Sequence, residues 1–275
     1  MSQQPDFIPH ETKNTFSIIM PTCGRPNLTP RAIQSVQDQL YQDWELIIVE
    51  DGSDQPVKDS LNKFIEELND PRIKIIHHEQ RMQRVVAFNT GIKNATKDWI
   101  VCLESDDEWL RTYLDSANFF INEYPDYKCF HFGAIVCRLG RYSVRQTPEW
   151  KEDGPEGEAM ERFRSGCIGM GSFFYKREIH DDIGLFPEAG SPFKFADLCK
   201  DEMPEIMEWY GPKYMEGGKE LGNPWGQDWY LIYRITRKYK SKRVSMLAYV
   251  NYIRRSGFLQ QDDDMILNRK RVYIA

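Results

Sequence analysis

Four short apolar runs alternate with three stretches of helical periodicity between Phe16 and Leu103, and very few architectures accept that order. The runs are Phe16-Ser17-Ile18-Ile19-Met20, Leu46-Ile47-Ile48-Val49, Ile73-Lys74-Ile75-Ile76 and Trp99-Ile100-Val101-Cys102-Leu103. Short and nearly continuous in apolar character, they read as strands buried on both faces, as in a parallel sheet. Between them, Ala32, Ile33, Val36 and Leu40 follow Thr29-Pro30, which offers an N-cap and a proline at the first helical position. Val57, Leu61, Phe64, Ile65 and Leu68 make a second helical face that Asp70-Pro71 breaks, and residues 84 to 95 carry a third with Val85, Phe88 and Ile92. Strand, helix, strand repeated in this way predicts right-handed βαβ units, hence an α/β, Rossmann-like half.

The polar residues at the ends of those strands are the chemical signal. Glu104-Ser105-Asp106-Asp107 follows the fourth run directly, so its carboxylates sit at the carboxyl end of a strand, where open α/β sheets bind ligands. Clustered acids repel one another unless a cation neutralises them, and a hard divalent ion is the natural partner. Taken alone, the cluster would read as a solvated acidic turn. It is accompanied by Pro21-Thr22 after the first strand and Glu50-Asp51-Gly52-Ser53 after the second, and the shared crevice is the expected nucleotide site. No G-x-G-x-x-G follows the first strand, which leaves dinucleotide binding little support.

Beyond a helix near residues 112 to 123, regularity declines. Phe130 to Leu139 reads as a strand, 149 to 161 as an acid-rich surface loop, and 187 to 226, rich in proline and glycine, as a long loop region over the crevice. Gly166 to Gly171 precedes the strand-like Ser172 to Tyr175, which favours close backbone packing over a phosphate cradle. A helix from Gln227 to Lys240 opens with Asp228 and ends in cations, an arrangement that suits the helix dipole. The run from Arg234 to Arg243 is either a solvated basic face or a landing patch for an anionic acceptor, a lipid phosphate or nucleic acid.

The composition is that of a globular protein, and a net charge of −6 argues against general affinity for nucleic acid or acidic membranes. The six cysteines are dispersed with no C-x-x-C pair, as in reduced cytosolic proteins, and His77-His78 reads as structural rather than metal-ligating. The first fourteen residues lack the apolar core of a signal peptide, and no window approaches the ~18 apolar residues of a membrane span. The expected address is cytoplasmic. The expected organisation is one domain with an extension: a tail over 1–14, a nucleotide-binding half over 15–110, an acceptor-side half over 111–245 and a C-terminal extension over 246–275.

Together these segments resemble the family 2 glycosyltransferases of the GT-A fold. Ser17 to Thr22 is similar to that family's first strand and nucleotide loop, and Ala32 to Tyr41 with Trp44 to Ser53 to its next helix and strand, ending in an aspartate that contacts uracil. Ala87 to Ile92 through Ile100 leads into Glu104 to Asp107, the place of the D-x-D metal motif. Gly171 to Glu178 with Ile183 to Phe186 resembles the acceptor-side strand and turn, and Gly226-Gln227-Asp228-Trp229 matches the position of the catalytic aspartate. The chain departs from the pattern at Glu50 and Glu104, where aspartate is usual, at Gly24, where asparagine is frequent, and at Phe88, often arginine.

The resemblance implies a mixed, mostly parallel sheet flanked by helices and a metal-dependent, inverting glycosyl transfer. The donor would be a nucleoside diphosphate sugar, with uridine favoured through Asp51. Mn²⁺ or Mg²⁺ would be held by Asp106 and Asp107. Pro21, Thr22, Arg25, Glu50, Asp51, Arg81, Arg84, Glu104 and Ser105 would contact the nucleotide, with Arg81 or Arg84 replacing the arginine lost at Phe88, and Asp228 would be the general base. The acceptor would be a hydroxyl of a glycan or lipid-linked saccharide, with a protein or modified-DNA acceptor as the alternative. A nucleotidyltransferase would share the sheet and the metal but carries a more glycine-rich first loop than Pro21 to Pro26. An inactive nucleotide- or carbohydrate-binding module would have no need of both the acid cluster and Asp228.

Overall fold

Strands that are apolar on both faces need helices on both sides, and the chain supplies them alternately. The computed structural model describes residues 13–138, 141–145, 169–186 and 227–253. Strands β1 (Phe16–Thr22), β2 (Trp44–Asp51), β3 (Ile73–His78) and β4 (Trp99–Cys102) alternate with helices α1 (Thr29–Gln37), α2 (Gln55–Leu68) and α3 (Arg84–Lys93). After β5 (Glu108–Trp109) and α4 (Tyr113–Glu123) come the hairpin β6 (Cys129–Arg138) and β7 (Arg141–Arg145), then β8 (Phe173–Lys176), α5 (Ile179–Ile183), α6 (Gln227–Lys238) and β9 (Ser241–Ile253). These elements match the expected ones closely. Helix α1 starts one residue earlier than its sequence suggests, because Leu28 takes the cap position and the Thr29 hydroxyl pairs with that of Thr22 at 2.7 Å. It also stops at Gln37, which leaves Leu40 outside the helix and exposed.

The sheet order is β3-β2-β1-β4-β8-β6-β9-β5, with β7 paired to β6. Strands β1 to β4 are parallel, β8 runs against β4 and β6, and β9 returns parallel to β6. The chain therefore winds outward from β1 to β3 and then crosses back to place β4 on the other flank of β1. That reversal opens a crevice between the carboxyl ends of β1 and β4, the switch point at which such sheets bind ligands.

Pro21 lies within β1, opposite Val49 of β2. Leu103 donates its N–H to the Ile19 carbonyl, so the odd residues of β1 direct their backbone groups toward β4. The pairing of β1 with β4 ends at Ile19 and Cys102. The missing N–H of Pro21 thus points past the last β4 partner, into the crevice, where no ladder bond is lost.

The alternation of side chains divides the core. Ile18, Met20, Leu46, Ile48, Val101 and Leu103 face α1 and α4 through Ile33, Val36, Tyr113 and Leu114. Ile19, Ile47, Val49, Ile100 and Cys102 face α3, α5 and α6 through Phe88, Ile92, Ile179, Leu231 and Ile235. Gly91 of α3 sits against β1: a Cβ there would come within 2.3 Å of Ile19 Cγ2. Strand β9 runs through position 246, so the sheet extends past the expected start of the C-terminal extension. The loops expected over 149–161 and 187–226 lie outside the described residues. No helix among the described residues is long and apolar enough to cross a membrane.

A charged knot closes the sheet at the amino ends of β1 and β2. The buried Glu45 accepts hydrogen bonds from the Ser17 hydroxyl at 2.7 Å, the Thr96 N–H at 2.7 Å, the Thr96 hydroxyl at 2.8 Å and Lys74 at 2.9 Å. Burial by itself would raise the carboxyl; these donors overcome it and bring it from 4.5 down to about 2. A carboxylate held down in the folded state contributes stability above its unfolded value and loses it as pH falls. Titration from about pH 5 to pH 2 should remove about 3 kcal/mol through Glu45. Urea unfolding across that window should show a flatter pH dependence in Glu45→Gln than in the parent, and equal slopes would refute this role.

Candidate functional site

The residues at the crevice come from three strand ends. Arg25, in the loop between β1 and α1, reaches across the switch point, and its Nη1 donates to Asp106 Oδ1 at 2.9 Å and to Ser105 Oγ at 3.1 Å. From the first residue of α3, Arg84 Nη1 donates to Glu104 Oε1 at 3.0 Å. The acid cluster is therefore partly neutralised by two guanidinium groups, one from the first loop and one from the start of α3. Arg81 is exposed in the segment between β3 and α3, and its backbone packs directly on Gly52. Gly52 has φ +68°, and a Cβ there would fall 2.2 Å from Arg81 N, so both the backbone angle and the space demand glycine.

Alternation along β2 decides what its terminal acids do. Asp51 Oδ1 accepts from the Met82 N–H at 2.8 Å and lies 2.8 Å from His78 Nδ1, while His78 Nε2 lies 2.9 Å from the Thr90 hydroxyl. The structural reading of His78 holds: it orients Asp51 and ties it to α3. Glu50 turns the other way and is fully buried. Its Oε1 accepts the Ser53 N–H at 2.7 Å, and its Oε2 stands 3.5 Å from His77 Nδ1 and 3.7 Å from Lys58 Nζ. Ser53 in turn accepts the Gly24 N–H at 2.7 Å, which pins the first loop to the second. Glu50 thus shapes the site from beneath and does not present its carboxylate to a nucleotide, contrary to the expectation from sequence. Pro21 and Thr22 line the end of β1 with the Thr22 hydroxyl already committed to Thr29.

The same division separates the two aspartates of the acid motif. Asp106 faces the crevice and is part-buried, with 18% of its side chain exposed. Asp107 is turned inward, where Oδ1 accepts the Tyr252 N–H at 3.0 Å and Oδ2 accepts Asn251 Nδ2 at 3.0 Å, both from β9. Burial, and then the charges of Asp106 and Glu104, push the Asp107 carboxyl well above the usual carboxylate range. With both of its oxygens engaged by β9, Asp107 is held away from the crevice, whereas Asp106 and Glu104 stand at it; the expected Asp106–Asp107 pair is thus divided by the sheet. Among the described residues no group of three or more His, Cys, Asp and Glu side chains forms a metal cage. Two part-buried carboxylates nonetheless fit Mg²⁺ or Mn²⁺, ions commonly held by one or two carboxylates together with substrate phosphates.

Asp228 is the second residue of α6, and its side chain lies outside the described part of the structure. Helix α6 ends beside the start of β9, which pairs with the start of β6 at the amino edge of the sheet. Its first turn is therefore at the far end of the helix from that edge, roughly 17 Å along the axis. The basic run from Arg234 to Arg243 lies at the amino edge, opposite the crevice. There Lys238 pairs with Asp182, and Lys242 stands 4.4 Å from the centre of the Tyr124 ring.

Two further motifs acquire plain physical reasons. Asn89 of α3 is buried and grips the backbone of Phe186, donating to its carbonyl at 2.8 Å and accepting its N–H at 3.0 Å. Gly169 and Gly171 lie against Tyr249 of β9, where a Cβ would approach to 2.4 and 3.1 Å. These glycines serve close packing on a neighbouring strand, as the sequence suggested. Neither Asn251 nor His78 could be assigned its role from sequence, because each acts on an acid far away in the chain.

The geometry agrees with what is found among known proteins. Solved structures of similar fold include S. aureus TarS residues 1–349 in complex with UDP-GlcNAc, at 18% identity, TM-score 0.62, and 88% of this chain against 59% of that one. Another is the mannosyltransferase PcManGT from Pyrobaculum calidifontis in complex with GDP-Man and Mn2+, at 15% identity, TM-score 0.60, and 90% against 59%. Among curated proteins, the putative colanic acid biosynthesis glycosyl transferase WcaA of Escherichia coli K12 is 41% identical over 94 residues, 34% of this chain and 33% of that protein. The Escherichia coli UDP-Glc:alpha-D-GlcNAc-diphosphoundecaprenol beta-1,3-glucosyltransferase WfgD is 34% identical over 99 residues, 36% and 38% respectively. The matched segment thus spans a third to two-fifths of the length of these relatives. The family model for glycosyl transferase family 2 matches residues 17–184, which include every strand end that forms the crevice. The chain belongs to glycosyl transferase family 2 and has the GT-A fold.

Proposed function

We propose that the chain is a metal-dependent, inverting glycosyltransferase that moves a sugar from a UDP-sugar to a hydroxyl of a glycan or lipid-linked saccharide. The observation that carries this reading is the junction at the β1–β4 switch point, where Arg25 meets Ser105 and Asp106 beside the Arg84–Glu104 pair. Cations and carboxylates interleaved at that point suit a ligand that is itself a diphosphate accompanied by a metal ion. The UDP-GlcNAc bound to TarS, the Mn2+ bound to PcManGT and the undecaprenol-linked acceptor in the name of WfgD support the donor, the ion and the acceptor class in turn. The buried cysteines Cys102, Cys129 and Cys137, none of them in a disulfide, support a reducing, cytoplasmic address.

Each residue then has a task. Asp51, oriented by His78 and Met82 through Oδ1, keeps Oδ2 for the N–H edge of the base. Asp106 and Glu104 would hold the ion. Bound there, Mn²⁺ or Mg²⁺ supplies Lewis-acid neutralisation of the departing diphosphate. Arg25 and Arg84 add fork-shaped donors suited to phosphate oxygens. Asp228 takes the proton from the acceptor hydroxyl, and attack from the face opposite the leaving group inverts the anomeric centre.

Calorimetric titration with UDP should show affinity that depends on added Mn²⁺. Asp106→Ala should remove that dependence, a loss exceeding the roughly 10–100-fold typical of outer-shell changes, whereas Asp107→Asn should keep it, since the amide oxygen can still accept from Asn251 and Tyr252. Equal losses in the two variants would contradict the assignment of the metal to Asp106 and not to Asp107. Separately, Asp228→Asn should bind UDP normally and lose about 10²- to 10⁴-fold in turnover. Near-normal transfer by that variant, assayed over a panel of nucleotide sugars, would remove the base from position 228.

A further inference from the structure

Arg25 occupies the oxygen that a metal would need. This inference rests on the donor reading above. The guanidinium comes from the loop after β1 and Asp106 from the loop after β4, so they face each other across the crevice that the ligand must enter. With 24% of the Arg25 side chain and 18% of the Asp106 side chain exposed, solvent screens their 2.9 Å contact only in part. A divalent ion ligated by Asp106 would be brought close to the guanidinium, and like charges at such range in a sheltered crevice repel. One cation must give way. The arginine has somewhere to go: its planar fork matches phosphate oxygens, and a diphosphate brought with the ion lies within the same crevice.

We propose that Arg25 is the resident counter-cation of Asp106, yielding the carboxylate to the divalent ion and transferring to the donor's diphosphate in the same event. Arg25 then performs two opposed functions. Before the donor arrives it offsets the charge of Asp106 and disfavours capture of a bare ion. Once the nucleotide is present, it becomes a ligand to the phosphates. Ion and nucleotide bind tightly only together, and by linkage each strengthens the other to the same degree.

The signature is a change of sign in a single variant. Mn²⁺ binding to the whole chain without nucleotide, followed by the electron paramagnetic resonance signal of the free ion, should be tighter in Arg25→Gln than in the parent, by about 3- to 10-fold. UDP binding at saturating Mn²⁺, measured by calorimetry, should be weaker in the same variant by about tenfold. In the double variant Arg25→Gln with Asp106→Asn the gain in Mn²⁺ affinity should vanish, because the freed carboxylate is gone. A variant that had merely lost its fold would bind neither ligand better. Unchanged or weaker Mn²⁺ binding in Arg25→Gln, or a gain that survives in the double variant, would overturn the counter-cation role, and undiminished UDP affinity would overturn the transfer to phosphate. If UDP binding by the parent proves indifferent to Mn²⁺, the donor reading fails, while the comparison of Mn²⁺ alone still decides the role of Arg25.

Discussion

Strand β1 is hydrogen-bonded in parallel on both flanks, to β2 on one side and to β4 on the other, and the rest of the molecule follows from that arrangement. A parallel neighbour on each side means helical crossovers above and below, so β1 must be apolar on both faces, as Phe16 to Met20 largely is. It also means that the chain leaves β1 in one direction and comes back on the other, which parts the loops at the carboxyl ends. The one residue of β1 that cannot donate to a ladder, Pro21, sits where the β4 pairing has already ended. A crevice at that place is a consequence of the winding.

What fills the crevice is charge, and its balance depends on alternation. At the end of β2 consecutive acids point to opposite sides, and the turn after β4 parts Asp106 from Asp107 in a like manner. Asp51 and Asp106 look toward the opening, while Glu50 and Asp107 look into the protein and are put to structural use. Glu50 holds Ser53, which holds Gly24; Asp107 holds β9 through Asn251 and Tyr252. The inward acids thereby join the two outer loops and the second half of the sheet to the site. Asp106 and its neighbour Glu104 are met by guanidinium groups from elsewhere in the chain, and this is what makes a ligand bearing both a cation and phosphates a suitable replacement.

The second half of the molecule is built by a different principle. Strand β8 runs against β4 and β6 while β9 lies parallel to β6, and this half is secured by close approaches such as Gly169 and Gly171 on Tyr249, and Asn89 on the Phe186 backbone. These contacts join residues distant in sequence, so no local pattern announces them. They also carry the basic run of α6 and β9 to the amino edge of the sheet, away from the crevice. In the linear sequence the run stands only a few residues from Asp228, yet the length of the helix separates them.

Periodicity and the polar residues that interrupt it determined the order β1-α1-β2-α2-β3-α3-β4, the parallel pairing of those strands and the place of the site, because such information is local: a run of apolar residues buries itself whatever surrounds it. Asp51 and Asp106 could be named from the strands they follow or end, and Arg25 and Arg84 from the family resemblance. Which acid faces the ligand, and which arginine neutralises which acid, was decided by tertiary structure alone. Asp106 and Asp107 are chemically alike and adjacent; only the presence of β9 on one side and an open crevice on the other makes one an anchor and the other a candidate ligand. Burial of a charge is a property of its surroundings, and those are assembled from the whole chain.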